Sequence, residues 1–250
     1  MFPIRDHNPS GRVPVVTYAL IVLNVVIFLT YWAELDNARY MNTLLTNWAM
    51  IPKFISQGFG KVGLFTSIFL HGGIMHLLGN MLFLYIFGDN IEDELGSVKF
   101  LGFYLGAGIL ANFAQYAISP ISDVPVIGAS GAVAGVMGAY LLLYPKARVD
   151  IILIFIIFFK IFTLRAWIVL SIWIAMQFLG GFGLDTEAGG VAYWAHIGGF
   201  FAGMAMIYPR WRAKGYRAFW RATDGAPPHP EAKYTLIQSG IPKIPRRPRR

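Results

Sequence analysis

The chain has 250 residues, of which 56% are hydrophobic and only 14% are charged. Soluble domains carry about a quarter of charged residues, so this composition excludes an ordinary soluble enzyme. It indicates a protein that crosses the membrane several times, at about 20 apolar residues for each helix. The sequence contains no cysteine, which excludes disulfides, thiolate catalysis and cysteine-ligated metals within it.

Six apolar segments are predicted to cross the membrane. The first covers residues 15–33. It is long for a signal peptide, and Glu34 and Asp36 stand where small residues would be needed for cleavage, so we expect a retained helix. A mixed loop at 34–64 comes next, and the later helices are expected at 65–88, 99–118, 130–144, about 164–179 and 191–208.

Two connecting segments carry further predictions. Residues 88–94 are acidic and are expected to form a solvated turn after the second helix. The apolar run at 151–159 is too short to span a bilayer, so it is interpreted as an interfacial or re-entrant segment before the fifth helix. The predicted fold class is therefore an all-α polytopic membrane protein.

The net charge of +8 predicts the orientation. From residue 209 onward there are eleven Lys and Arg residues and two acidic ones, a net charge of +9, so residues 1–208 sum to −1. The positive-inside rule then places both termini in the cytoplasm. We expect a cytoplasmic segment at 1–14, a membrane domain at 15–208 and a basic cytoplasmic tail at 209–250. This tail is a candidate contact for anionic lipid, and we expect no nucleic-acid partner.

Ser130 begins the fourth predicted helix, within the sequence Gly-Ala-Ser-Gly at 128–131. Small residues in membrane helices usually serve close packing, and Gly131 with Gly135 fits that interpretation. The alternative is a nucleophile at a helix N-terminus, where free backbone N–H groups can stabilise an oxyanion.

His196 lies near the start of the sixth predicted helix and therefore at the same depth as Ser130, toward the outer side. Gly199 and Gly203 follow it at a spacing that lets this helix approach another one closely. A lone histidine can simply bond to a carbonyl group. Close contact with the fourth helix would instead let neutral imidazole act as the base for the Ser130 hydroxyl. No acid lies near His196 in the predicted helices, so we expect a dyad whose histidine is oriented by packing.

His76 and Asn80 are four residues apart and share one face of the second predicted helix. Two donors on one face can hold an oxyanion, although hydrogen bonding between helices is an equally good interpretation. A zinc site formed by His71, His76 and His196 is the chemical alternative. It is disfavoured, because His71 would point about 140° away from His76 on a common helix.

Together these motifs resemble the rhomboid intramembrane serine proteases. The resemblance rests on His-Gly-Gly-Ile-Met-His-Leu-Leu-Gly-Asn at 71–80, Gly-Ala-Ser-Gly at 128–131 and Ala-His-Ile-Gly-Gly at 195–199, in the family's order. It covers about residues 15–208 and implies a six-transmembrane-helix bundle. Two features depart from the family pattern. Residues 61–64 read Lys-Val-Gly-Leu where Trp-Arg is common, and Ala134 stands where some members carry a tyrosine that stacks on the base.

The resemblance implies a hydrolase in which Ser130 is the nucleophile and His196 the general base. His76, Asn80 and the Ser130 backbone N–H would form the oxyanion hole, and Gly199 would pack the sixth helix on the fourth. The implied substrates are single-span membrane proteins, cut near the outer end of the span. We expect no metal or cofactor, and a multi-pass location in a bacterial plasma membrane.

Two functions of other classes were weighed against proteolysis. A membrane chaperone or scaffold of rhomboid-like fold would bind membrane segments without cutting them, and the retained Ser130 and His196 argue against it. A transporter would need ionisable residues along a path through the membrane. The third to sixth predicted helices offer only His196 and the edge charges Lys160 and Arg165.

Overall fold

The computed structural model describes residues 2–8, 10–155, 158–183 and 191–226. Helices account for most of these residues, and one small sheet accompanies them. The elements are β1 (Phe2–Asp6), α1 (Val15–Tyr31), α2 (Ala38–Trp48), α3 (Pro52–Ser56), α4 (Gly63–Thr66), α5 (Ile74–Leu95), α6 (Ser97–Ile118), α7 (Ser130–Leu143), β2 (Arg148–Phe155), β3 (Phe158–Arg165), α8 (Ala166–Gly183), α9 (Tyr193–Ala213) and α10 (Arg217–Thr223).

The predicted polytopic helical membrane protein is confirmed. Within the described ranges, four helical segments are long and apolar enough to cross a membrane: Val15–Glu34, Ile74–Leu95, Ser97–Ile118 and Ala166–Gly183. Helix α7 is apolar but has only 14 residues, which gives a length of about 21 Å at 1.5 Å per residue. The count of six spans stays a prediction.

Helix α7 lies at the centre of the bundle. Eleven of its fourteen residues are buried, and α5, α6, α8 and α9 all pack around it. Because hydrophobic burial does not drive association between helices in lipid, close packing of small side chains must hold such a bundle together. The Gly- and Ala-rich sequence of α7 suits this central position.

The backbones of α7 and α9 touch through glycines. A Cβ added at Gly199 would overlap the carbonyl oxygen of Gly131, and one added at Gly203 would overlap that of Gly135. The other side of α7 is equally tight, since Cβ atoms at Gly131 and Gly135 would lie 2.5 Å from the methyl groups of Ala111 and Ala107 on α6. The four glycines that were expected at contacts between helices therefore all lie at such contacts.

The interfacial or re-entrant placement of residues 151–159 stays a prediction, and the described residues of this segment form strands. Residues 151–155 and 158–159 fall in a hairpin in which Arg148–Phe155 pairs antiparallel with Phe158–Arg165. The physical reason is composition, since a run dominated by Ile and Phe favours strands and is too short for a spanning helix. Phe2–Asp6 pairs antiparallel with the outer edge of the hairpin, giving the strand order β1-β2-β3.

The predicted acidic turn is wrong, because α5 continues to Leu95 and the turn falls at Gly96, where φ is +76°. Buried Glu92 accepts hydrogen bonds from the backbone N–H groups of Val16 and Thr17 at 2.9 and 2.7 Å, so it caps the start of α1. Glu94 pairs with Arg210 of α9 at 2.6 Å. These partners keep the acidic residues within the helix.

The end of α9 and the structure of the first loop also differ from expectation. Helix α9 runs through Pro209 to Ala213, which is five residues beyond the predicted end. The predicted mixed loop at 34–64 contains α2 and α3 and the start of α4. This segment is tied to the residues before α7 by two backbone hydrogen bonds between Met50 and Val126, at 3.1 and 2.8 Å.

Asp150 on β2 joins the three strands. Its carboxylate accepts hydrogen bonds from Arg5 at 3.0 Å, His7 at 2.7 Å and Thr163 at 2.6 Å. Burial raises the pKa of Asp150, but the hydrogen bonds from Thr163, His7 and Arg5 outweigh it and lower the pKa to about 2. The folded-state pKa lies below the ordinary value, so this carboxylate stabilises the fold above about pH 4 and loses that effect as the pH falls toward 2.

We expect Asp150→Asn to lower the unfolding temperature of the detergent-solubilised protein at pH 7. The expected loss is about 1 kcal/mol, because the charge-assisted bonds weaken while the exposed Arg5 side chain limits their strength. Asp123→Asn is the matched control, since Asp123 forms an exposed pair with Lys53 at 2.9 Å. Equal unfolding temperatures for the two variants would contradict this role of Asp150.

Candidate active site

Ser130 is the first residue of α7, and the preceding loop fixes its position. The Gly128 N–H donates to the Ser67 carbonyl at 2.9 Å, next to the Met50–Val126 pair. Gly128 has φ +123°, in the region that favours glycine. The Ser130 hydroxyl therefore lies beside the free N–H groups of the first turn of α7, where a helix favours negative charge.

His196 lies in the first turn of α9 and meets Ser130. The distance from His196 Nε2 to Ser130 Oγ is 2.7 Å, a short hydrogen bond between residues 66 positions apart. The glycine contacts between α7 and α9 explain why two short side chains can reach one another. The site lies at the opposite end of α7 from the sheet, because β2 follows the C-terminal end of that helix.

Two residues of α8 contact the imidazole of His196. Neither was predicted from the sequence. Gln177 Oε1 lies 2.8 Å from His196 Nδ1. The indole ring of Trp173 lies against the imidazole, with 5.8 Å between ring centroids and 33° between planes. Packing alone therefore does not orient His196, and the aromatic neighbour comes from α8 and not from the position of Ala134.

A signal for these residues was present in the sequence. Gln177 interrupts an apolar helix, and Trp173 precedes it by four residues, which places both on one helix face. The rotation of α8 about its axis could not be predicted from the sequence. That rotation brings this face toward His196.

His76 and Asn80 lie on α5 and face the same cavity as the dyad. A Cβ built on Gly128 would lie 2.8 Å from His76 Nε2 and 3.5 Å from Ser130 Oγ, so both atoms are close to one point. The Gly72 N–H faces His76 Nδ1 at 3.5 Å, which leaves Nε2 as the protonated nitrogen. Asn80 Nδ2 is buried and has no hydrogen-bond partner within the described ranges.

His71 does not lie on α5, because that helix begins at Ile74. The expected divergence of 140° from His76 is therefore wrong, and the two rings lie 5.1 Å apart. The buried backbone of His71 is held by Tyr31, whose hydroxyl accepts its N–H at 2.7 Å and donates to its carbonyl at 3.1 Å. Across the residues that the structure describes, no three His, Asp or Glu side chains form a group suited to a metal ion.

A cavity of about 660 Å³ opens beside the dyad. Ser130, His196, His76 and Asn80 line its polar side, and apolar residues of α5, α7, α8 and the loop before α7 line the rest. The side chain of Met75 at its edge is 76% exposed. The cavity therefore reaches the surface of the bundle.

Fold and site together define a class, a polytopic helical membrane protein with a Ser–His pair facing a cavity between its helices. The chain belongs to the rhomboid family, since residues 59–213 match the family model described as Rhomboid domain. Ser130, His196 and the residues around them, namely His76, Asn80, Trp173 and Gln177, all lie inside this match.

The names of two similar proteins agree with this family assignment. The chain is 34% identical to the Rhomboid protease GluP of Bacillus subtilis (strain 168) over 207 residues, which cover 82% of this chain and 37% of that protein. It is 32% identical to the mitochondrial presenilin-associated rhomboid-like protein of Mus musculus over 183 residues, 69% of this chain and 44% of that protein. The chain thus spans about two fifths of the length of these curated relatives.

We expect Gly128→Ala to remove reactivity at Ser130 while the protein stays folded. The added methyl group would be strained at φ +123° and would lie 2.8 Å from the His76 ring. The rate of Ser130 labelling by a fluorophosphonate, measured with the unfolding temperature, checks this. Gly102→Ala is the control, because a Cβ at Gly102 on α6 meets nothing within 4 Å. Normal labelling of the Gly128 variant would contradict the assigned geometry.

Proposed function

We propose that this chain is an intramembrane serine endopeptidase that hydrolyses peptide bonds in or near the transmembrane segments of single-span membrane proteins. The observation that carries the proposal is the 2.7 Å contact between Ser130 Oγ and His196 Nε2. Membership of the rhomboid family and the protease name of the GluP relative support it. The Ser–His pair is the reacting dyad in this proposal.

The first half of the reaction forms an acyl-enzyme. Ser130 Oγ attacks the substrate carbonyl carbon while its proton passes to His196 Nε2, and the carbonyl electron pair moves onto oxygen. His76, Asn80 and the N–H groups at the start of α7 hold this oxyanion. The C–N bond then breaks, and His196 gives its proton to the leaving amine.

The second half is hydrolysis. Water attacks the acyl carbon and gives a proton to His196, and the bond to Ser130 then breaks as the hydroxyl is restored. The first half needs an extended substrate at membrane depth, because a carbonyl within a helix is already hydrogen-bonded, and the second half needs water at that depth. The cavity beside the dyad supports this requirement, since it reaches the surface near Met75.

The location belongs to the same proposal. The chain is an integral multi-pass membrane protein, and we place it in a bacterial plasma membrane with both termini in the cytoplasm. The charge distribution supports this orientation through the positive-inside rule. The basic segment that begins after residue 209 then faces anionic lipid of the inner leaflet.

We expect Ser130→Ala and His196→Ala each to abolish cleavage of a model single-span substrate by the purified protein, because each removes one half of the proton transfer. Mass spectrometry of the products measures cleavage and maps the cut site. Ser171→Ala is the matched control, since Ser171 is an exposed serine on α8. Cleavage at the wild-type rate by both dyad variants would refute the dyad. A wild-type protein that binds the substrate and neither cuts it nor labels at Ser130 would favour a scaffold.

We expect Asn80→Ala and His76→Ala to lower kcat by about 10²- to 10³-fold each with little change in KM, because oxyanion donors act in the transition state. Initial rates over a range of substrate concentrations in proteoliposomes separate the two parameters. A change confined to KM would assign these residues to substrate binding instead.

A further inference from the structure

Gln177 is a buried amide on an otherwise apolar stretch of α8, and the proposed dyad does not use it. Gln177 is only 8% exposed, and both its amide nitrogen and its amide oxygen have hydrogen-bond partners. We infer that Gln177 is a positioning residue that holds His196 in the tautomer able to accept the Ser130 proton. This inference rests on the proposed function, because it assigns the proton that the dyad needs.

The hydrogen-bond partners determine which way the amide points. Gln177 Nε2 donates to the Trp173 carbonyl of its own helix at 3.2 Å. A carbonyl oxygen can only accept, so the amide nitrogen must face it, and Oε1 must face His196. The reversed amide would set two oxygens against each other.

The same logic determines the proton on the imidazole. Oε1 can only accept, so the nitrogen 2.8 Å away, His196 Nδ1, carries the hydrogen. Neutral imidazole has one N–H, and Nε2 is therefore free to accept from Ser130 Oγ at 2.7 Å. A continuous line of donors runs from Ser130 through His196 and Gln177 to the Trp173 carbonyl.

A neutral amide suits this place better than an acid does. A carboxylate at membrane depth would carry a large desolvation cost, whereas an amide oxygen offers the same accepting lone pairs without charge. When His196 takes the Ser130 proton, the Oε1 dipole stabilises the positive ring. Among the described residues, His76 of α5 is the titratable side chain close enough to influence His196.

Trp173 completes the arrangement. It lies one turn before Gln177, so a single face of α8 supplies both the acceptor for Nδ1 and the aromatic surface against the ring. The amide fixes rotation of the imidazole within its plane, and the indole limits tilting out of that plane. Gln177 and Trp173 thus replace the carboxylate of a triad by a neutral pair.

The direct test is the tautomer of His196 in the intact protein. ¹⁵N-histidine NMR distinguishes a protonated ring nitrogen from an unprotonated one, and the difference spectrum against His196→Asn assigns the signals. We expect Nδ1–H in the wild-type protein at neutral pH and a mixture of tautomers in Gln177→Leu. A wild-type ring protonated at Nε2 would overturn the inference without any variant.

Kinetics supply the second test. We expect Gln177→Leu to lower kcat about 10- to 100-fold with KM within about twofold, as for the loss of other groups that orient a reactive histidine. Gln177→Glu should recover most of the rate, because either protonation state of the acid keeps an accepting oxygen. Asn24→Leu is the control, since its buried amide donates to the Leu20 carbonyl of its own helix α1.

The outcomes separate this inference from the proposed function. If Ser130→Ala abolishes cleavage and Gln177→Leu cleaves like the wild type, the dyad stands and the positioning role is refuted. Equal losses in the Leu and Glu variants would assign Gln177 to packing and also refute it. Persistence of cleavage in Ser130→Ala refutes the proposed function itself.

Discussion

The geometry of the site depends on how closely the backbone of α9 approaches that of α7. Gly199 and Gly203 lie against the carbonyl oxygens of Gly131 and Gly135, so no side chain separates the two helices. In lipid this contact is stabilised by van der Waals packing and weak Cα–H···O bonds, because apolar burial gives little advantage there. A hydroxymethyl group and an imidazole can then meet at 2.7 Å.

The cost of an isolated charge within a membrane bundle explains where the charged side chains lie. Glu92, Glu94 and Asp150 each have hydrogen-bond or ion-pair partners on other elements, and they lie at the end of the bundle where the sheet is. At the other end, the groups around the dyad are hydroxyl, imidazole and amide. Neutral donors and acceptors keep a hydrogen-bonded site within a membrane bundle without the cost of an isolated charge.

Local composition predicted the helices near the site, and the shared depth and glycine spacing of the two helices predicted that Ser130 meets His196. They did not predict the strands at residues 151–155 and 158–159, which form through a local hairpin and through pairing of Ile151 and Ile152 with Phe2–Asp6. They also missed Gln177 and Trp173. An apolar helix carries no strong periodic signal for its rotation, so tertiary packing alone determines which face meets His196.

Helix α8 connects the two ends of the molecule. It follows β3 without a break, and Gln177 is its twelfth residue, about 17 Å from the sheet at 1.5 Å per residue. Tilting a rigid helix by about 4° at that junction displaces Gln177 by about 1 Å, enough to turn a 2.8 Å hydrogen bond into a gap. At this junction Asp150 joins all three strands of the sheet through its hydrogen bonds. The contact between Gln177 and His196 therefore depends on how α8 packs where it leaves the sheet.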